Sequence, residues 1–209
     1  MSLAGKNMAL NLATMHGFVV KEIGSKRTLR ESMDRIIAEC AKGHPHDDWK
    51  KLNDLPYDDL DDLREWIEKP FRKEPSKKKL TGLWFGLFNP VYSSKPVADM
   101  YVCGSTRFDP STDGSWAVDP DWMPESRYAH SAVLAKLYKI AYRKEGLGND
   151  AEYPLCLGYG GLAVRDLLRY TDPSVILGRS PSLGIAVGFD SRDSVLVGKL
   201  NKSGLVGLS

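Results

Sequence analysis

The stretch Gly-Leu-Trp-Phe-Gly-Leu-Phe at residues 82–88 decides the fold of this chain. Large apolar side chains fall on both alternating faces of this run, which predicts a central β-strand covered on each side. A second apolar run, Asp-Met-Tyr-Val-Cys-Gly at residues 99–104, follows a proline-containing loop. This run predicts a strand that pairs with the first one.

A further strand pair is predicted near the C-terminus. Residues 183–189 alternate bulky Leu, Ile, Val and Phe with Gly, Ala and Gly, so that one face of the strand is nearly bare. A helix or another backbone could approach that bare face closely. Val195 and Val197 supply the return strand of a hairpin through residues 190–194.

Helices are predicted from capping signals and apolar periodicity. Thr28 and Glu31 form a capping box ahead of a helix that stops near Gly43. A second helix begins near residues 56–58 and ends before Pro70, because the residue before a proline resists helical geometry. Residues 126–144 carry a wide apolar stripe, which predicts a helix packed across the sheet, and a short helix follows Gly161.

These elements together predict an α+β protein, in which helices pack on a mainly antiparallel sheet and an N-terminal helical pair precedes it. Residues 1–80 would form the helical region, which could share the core, and residues 81–209 would form the α+β domain. The 29 basic and 27 acidic residues leave a formal charge of +2, which argues against a nucleic-acid-binding footprint. A hydrophobic fraction of 42% with 27% charged residues is typical of a globular chain without a membrane span.

No pattern predicts a catalytic site, a metal site or a cofactor. The three cysteines are widely spaced in apolar surroundings, which is typical of a reducing cytoplasm. His44 and His46 lack the spacing of a zinc finger or of an H-E-x-x-H helix. Cys156 could take His130 as a base, but its apolar neighbours would raise the pKa of the thiol.

An alternative function is binding of an anion or small ligand, or catalysis, in a pocket near residues 158–169. Gly158, Gly160 and Gly161 would form a turn whose N–H groups face a phosphate, and Arg165 on the following helix would add charge. The run lacks both the P-loop ending and the dinucleotide spacing. A tight turn without a ligand is the simpler interpretation.

The loop at residues 116–128 is the leading candidate for partner binding. Tryptophan, tyrosine and arginine are enriched at interface hot spots, and paired carboxylates could attract a basic partner. The candidate residues are Trp116, Asp119, Asp121, Trp122, Arg127 and Tyr128. A structural interpretation stands beside this one, in which the tryptophans pin the loop to the core and the aspartates cap turns.

Residues 83–169 resemble the small α+β immunity proteins that accompany bacterial polymorphic toxins. The similar motifs are Leu-Trp-Phe-Gly-Leu-Phe, Trp-Ala-Val-Asp-Pro-Asp-Trp-Met-Pro-Glu-Ser-Arg-Tyr and Leu-Cys-Leu-Gly-Tyr-Gly-Gly. The resemblance implies a cytoplasmic protein without catalytic activity that binds and blocks a toxin domain. It also implies that acidic groups such as Asp119 and Asp121 face the partner, although the net charge departs from the strongly acidic members.

Overall fold

The computed structural model describes residues 9–93, 95–191 and 193–207. The helices are α1 (Leu12–Ile23), α2 (Leu29–Gly43), α3 (Leu60–Lys73), α4 (Ala132–Ala141), α5 (Asn149–Tyr170) and α6 (Pro173–Leu177). Short 3-10 turns occupy Asp47–Leu52, Tyr57–Asp59, Ser115–Ala117 and Glu125–Arg127. None of the described helices is long and apolar enough to cross a membrane.

The strands form one six-stranded sheet and a small hairpin. The sheet has the order β5-β4-β1-β6-β7-β8, and β2 pairs with β3. The strands are β1 (Gly82–Phe88), β2 (Val91–Tyr92), β3 (Lys95–Pro96), β4 (Asp99–Ser105), β5 (Tyr128–Ala129), β6 (Ser182–Phe189), β7 (Ser194–Asn201) and β8 (Gly204–Val206). Only the β1–β6 pair of the main sheet is parallel, so the predicted α+β fold with a mainly antiparallel sheet is confirmed.

Strand β1 lies inside the sheet, as its apolar pattern predicts. It pairs antiparallel with β4, opposing Gly86 to Tyr101, and parallel with β6, opposing Gly86 to Gly188. The predicted hairpin of β6 and β7 is also present. Successive side chains of β1 point to opposite faces of the sheet, since Leu83 and Phe85 belong to the main core and Trp84 to a second, smaller cluster.

Helix α2 has the predicted bounds and a complete Thr28–Glu31 capping box. The predicted end of α3 before Pro70 is wrong, because the helix continues to Lys73 and buries Pro70 and Phe71. The helix predicted for residues 126–144 is also too long. Its first turn begins only after Ser131, whose side chain accepts a hydrogen bond from the N–H of Leu134.

The prediction of a turn at residues 158–161 and a short helix after Gly161 is wrong. These residues lie in the middle of α5, a 22-residue helix. A Cβ on Gly158 would lie 2.8 Å from Ile36 Cδ1, and one on Gly161 would lie 2.3 Å from Ile23 Cδ1. The glycines therefore let α1 and α2 approach α5 more closely than larger residues would allow.

One continuous core joins the helices and the sheet. Its buried residues run from Leu10 in the N-terminal region to Leu200 in β7. The helices before residue 80 therefore share their core with the sheet, and α5 lies between the sheet and helices α1 and α2. This arrangement leaves the opposite face of the sheet for the loop after β4.

Candidate functional site

The face of the sheet that turns away from the helices is only partly covered. The loop at residues 106–118 lies on one half of it and packs Phe108 and Trp116 beside Trp84 of β1. The bare side of β6 is approached closely, by the loop's Phe108 rather than by a helix, since a Cβ on Gly184 would lie 2.2 Å from that ring. At the border of this cluster, Tyr101 of β4 is partly buried and packs against it.

The end of the loop is tied to the sheet by polar contacts. Trp122 forms a β-bridge with Gly104, and its indole N–H donates to the carbonyl of Glu74 at 2.7 Å. The Asp121 carboxylate accepts from the N–H and hydroxyl of Thr106, each at 2.8 Å, and pairs with Lys78 at 2.7 Å. The Lys78 and Thr106 hydrogen bonds hold the pKa of Asp121 well below its usual range.

Three aromatic rings and one arginine lie together beside this cluster, and we call this group the aromatic patch. Its members are Phe88, Tyr101, Arg127 and Tyr128. The ring centroids of Phe88 lie 5.7 Å from Tyr101 and 5.3 Å from Tyr128, and the two tyrosines are 6.2 Å apart. These separations are those of favourable aromatic pairs.

Two side chains of the patch, Arg127 and Tyr101, make further contacts that position them. The Arg127 guanidinium carbon lies 4.4 Å from the Tyr128 ring centroid, and Arg127 also donates to the carbonyl of Pro124. Tyr101 donates its hydroxyl proton to Asp190 at 2.9 Å. Burial, together with the Asp190 carboxylate, raises the pKa of Tyr101.

Of the six residues predicted for partner binding, the structure brings only Arg127 and Tyr128 into the patch. Trp116 and Trp122 are buried, as in the structural interpretation of the loop. Asp119 is exposed and has a left-handed backbone, with φ of 54°. Asp121 serves the loop anchor described above.

Sequence reasoning missed Phe88 and Tyr101, because it assigned both strands to the scaffold. Phe88 and Gly86 share one face of β1, which Tyr101 of β4 also faces. The glycine at position 86 was the available signal, since a small residue on one face of a strand leaves room for a large ring from the neighbouring strand.

At the alternative site near residues 158–169, the groups proposed to bind a ligand contact other parts of the protein instead. Arg165 is 2% exposed and donates to the carbonyls of Ile23, Ser25 and Arg27 at 2.9 to 3.2 Å. Gly158, Gly160 and Gly161 are likewise buried inside α5. The described geometry therefore contains no glycine turn that could receive a phosphate at this place.

The other residues considered for catalysis or metal binding, Cys156, His130 and His44, have separate partners or surroundings. Cys156 is buried in α5, and burial raises the pKa of its thiol, as predicted. His130 is mostly exposed and places Nδ1 2.9 Å from Oδ1 of the buried Asp99. His44 pairs with Asp150 at 2.5 Å, and the described residues contain no cluster of three or more side chains suited to a metal ion.

Comparison with protein-family models, curated proteins and solved structures finds no match for this chain.

Proposed function

We propose that this chain is a non-enzymatic, cytoplasmic protein that binds a protein partner through the aromatic patch. The supporting observation is that the rings of Phe88, Tyr101 and Tyr128 pack together on one face of the sheet. The Arg127 guanidinium stacks on the Tyr128 ring, which is the most exposed of the three. Tyr128 is 51% exposed although it packs against two other rings. Such side chains bury large areas at little entropic cost when a partner covers them.

The distribution of exposed apolar side chains along the chain supports the same proposal. Nine large hydrophobic side chains are exposed in the described part of the chain, and five of them lie between residues 91 and 128. They include Val118 and Met123 on the loop and Val91 and Tyr92 on the β2–β3 hairpin. This stretch of the chain is therefore the richest in exposed apolar side chains that a partner could cover.

The proposed partner is a toxin domain, which makes the protein an immunity protein. The similarity of residues 116–128 to the immunity-type motif supports this choice, because that motif ends at Arg127 and Tyr128 of the patch. The partner would cover the patch and leave the buried Trp116 and Trp122 in place. Asp119 is exposed and remains a candidate contact for a basic group.

The test first asks whether a gene next to the one for this chain encodes a toxin domain, and then coexpresses that domain with the chain. The wild-type protein should protect the cells and bind the purified toxin domain in calorimetry, and Tyr128→Ala should weaken binding by about tenfold or more. Tyr170→Ala is the matched control, since Tyr170 is 76% exposed and also lies under an arginine, Arg64. Absence of protection by the wild type would refute the immunity role, and full binding by Tyr128→Ala would refute the patch.

A further inference from the structure

A cleft opens where the C-terminal end of α3 and the linker at residues 74–80 meet α6. Its volume is about 420 Å³, which is within the range of small-molecule pockets. Phe71, Leu80 and Trp122 form an apolar floor, and the Phe71 and Trp122 ring centroids are 4.7 Å apart. The cleft is therefore able to bury an apolar group.

The rim of the cleft is basic. Its lining side chains include four cations, Lys73, Lys77, Lys78 and Arg179, and a single carboxylate, that of Glu74. The Glu74 carboxylate already accepts hydrogen bonds from the N–H groups of Glu125 and Ser126 and from the Ser126 hydroxyl. It is therefore engaged with the backbone that follows Trp122.

Two of the four cations have a partner within the protein, and the other two have no ion-pair partner among the described residues. Lys78 pairs with Asp121, and Arg179 donates to the carbonyl of Lys77 at 3.4 Å. Neither Lys73 nor Lys77 forms an ion pair with any residue that the structure describes. Both side chains are exposed at the mouth of the cleft, where they can move to meet an anion.

We propose that this cleft binds a small amphiphilic carboxylate, with its alkyl chain on the apolar floor and its carboxylate between Lys73 and Lys77. The floor favours the chain because burial releases water from apolar surface. The lysines favour the head group through charge-assisted hydrogen bonds. A purely ionic ligand would bury no alkyl chain on the apolar floor. A neutral or cationic ligand would form no charge-assisted hydrogen bonds with the lysines of the rim.

Octanoate is the probe, and the indole N–H signal of Trp122 in the ¹H–¹⁵N spectrum of the full chain is the readout. That N–H donates to the Glu74 carbonyl at the wall of the cleft. Octanoate should shift the signal saturably, and hexanoate should bind roughly tenfold more weakly because it lacks two methylene groups. Acetate and octylamine should leave the signal unchanged.

The charge requirement is tested with Lys73→Gln combined with Lys77→Gln, which should weaken octanoate binding by about fivefold or more. The matched control combines Lys42→Gln with Lys50→Gln, which removes the same charge from exposed lysines on other parts of the surface. The unliganded spectra report whether each variant is folded. Equal binding of octylamine, equal binding by the Lys73/Lys77 variant, or absence of a saturable shift with octanoate would overturn the proposal.

Discussion

The ring of Tyr101 lies against the backbone of Gly86 on the neighbouring strand. The two residues face each other in the β1–β4 ladder, and a Cβ on Gly86 would lie 2.1 Å from Cε1 and Cζ of Tyr101. The phenol thereby crosses β1 and reaches Asp190, which follows β6. A glycine inside the central strand thus determines where one ring of the aromatic patch is placed.

Gly86→Ala should displace the Tyr101 ring and destabilise the protein by about 1–3 kcal/mol, because the added methyl overpacks the sheet face. Urea unfolding measures this change. Gly17→Ala is the control, since Gly17 lies in α1 with open space where its Cβ would be. That substitution should stabilise the protein by about 0.5–1 kcal/mol. An unchanged midpoint for Gly86→Ala would show that the ring can move away at no cost.

Trp122→Ala should lower the free energy of unfolding by about 3–5 kcal/mol, because Trp122 is a buried part of the core. The variant also removes the hydrogen bond to the Glu74 carbonyl. Asp119→Asn is the comparison within the same loop and should leave the stability nearly unchanged, since asparagine also tolerates a left-handed backbone. Thermal unfolding distinguishes the two, and a stable Trp122→Ala protein would mean that the loop does not depend on this side chain.

Arg165→Met should destabilise the protein by about 3 kcal/mol or more, because the carbonyls of Ile23, Ser25 and Arg27 lose their buried donor. Hydrogen exchange should rise first at the C-terminal end of α1 and in the connection to α2, because Ile23 is the last residue of α1 and Ser25 and Arg27 lie in that connection. Arg169→Met removes an arginine that is 44% exposed and 3.7 Å from Asp166, and should cost less than about 1 kcal/mol. Equal effects of the two substitutions would contradict the role assigned to Arg165.

Asp48 should make stability depend on pH in the acid range. Its side chain is buried, and hydrogen bonds from Arg143 hold the pKa of its carboxyl below the usual value. The folded state therefore binds the proton less tightly than the unfolded chain does. The stabilisation is present above the unfolded pKa of about 3.9 and is lost as the pH falls through the lower folded pKa.

The measurement compares the wild type with Asp48→Asn by urea unfolding at several pH values. The stability difference between them should be largest near neutral pH and should shrink below about pH 4, where the unfolded state takes up the proton. A difference that stayed constant over this range would show that the Asp48 carboxylate contributes through its shape rather than its charge.

Local signals in the sequence accounted for much of the fold. The capping box at Thr28 determines the start of α2, because its two hydrogen bonds join residues only three apart. The β6–β7 hairpin was predictable for a similar reason, since its strands are adjacent in the chain. The site was less predictable, because Phe88, Tyr101 and Tyr128 come from three different strands.

The sequence by itself determined the α+β class, the inner position of β1 and the amphipathic face of α2, because apolar periodicity records how much each residue is buried. It did not determine what buries each residue. Only the tertiary structure placed Gly161 against Ile23 inside a long helix, where a turn had been predicted. The tertiary structure also buries Trp122 in the core and leaves Tyr128 exposed, because residues distant in the chain determine which large side chains are covered.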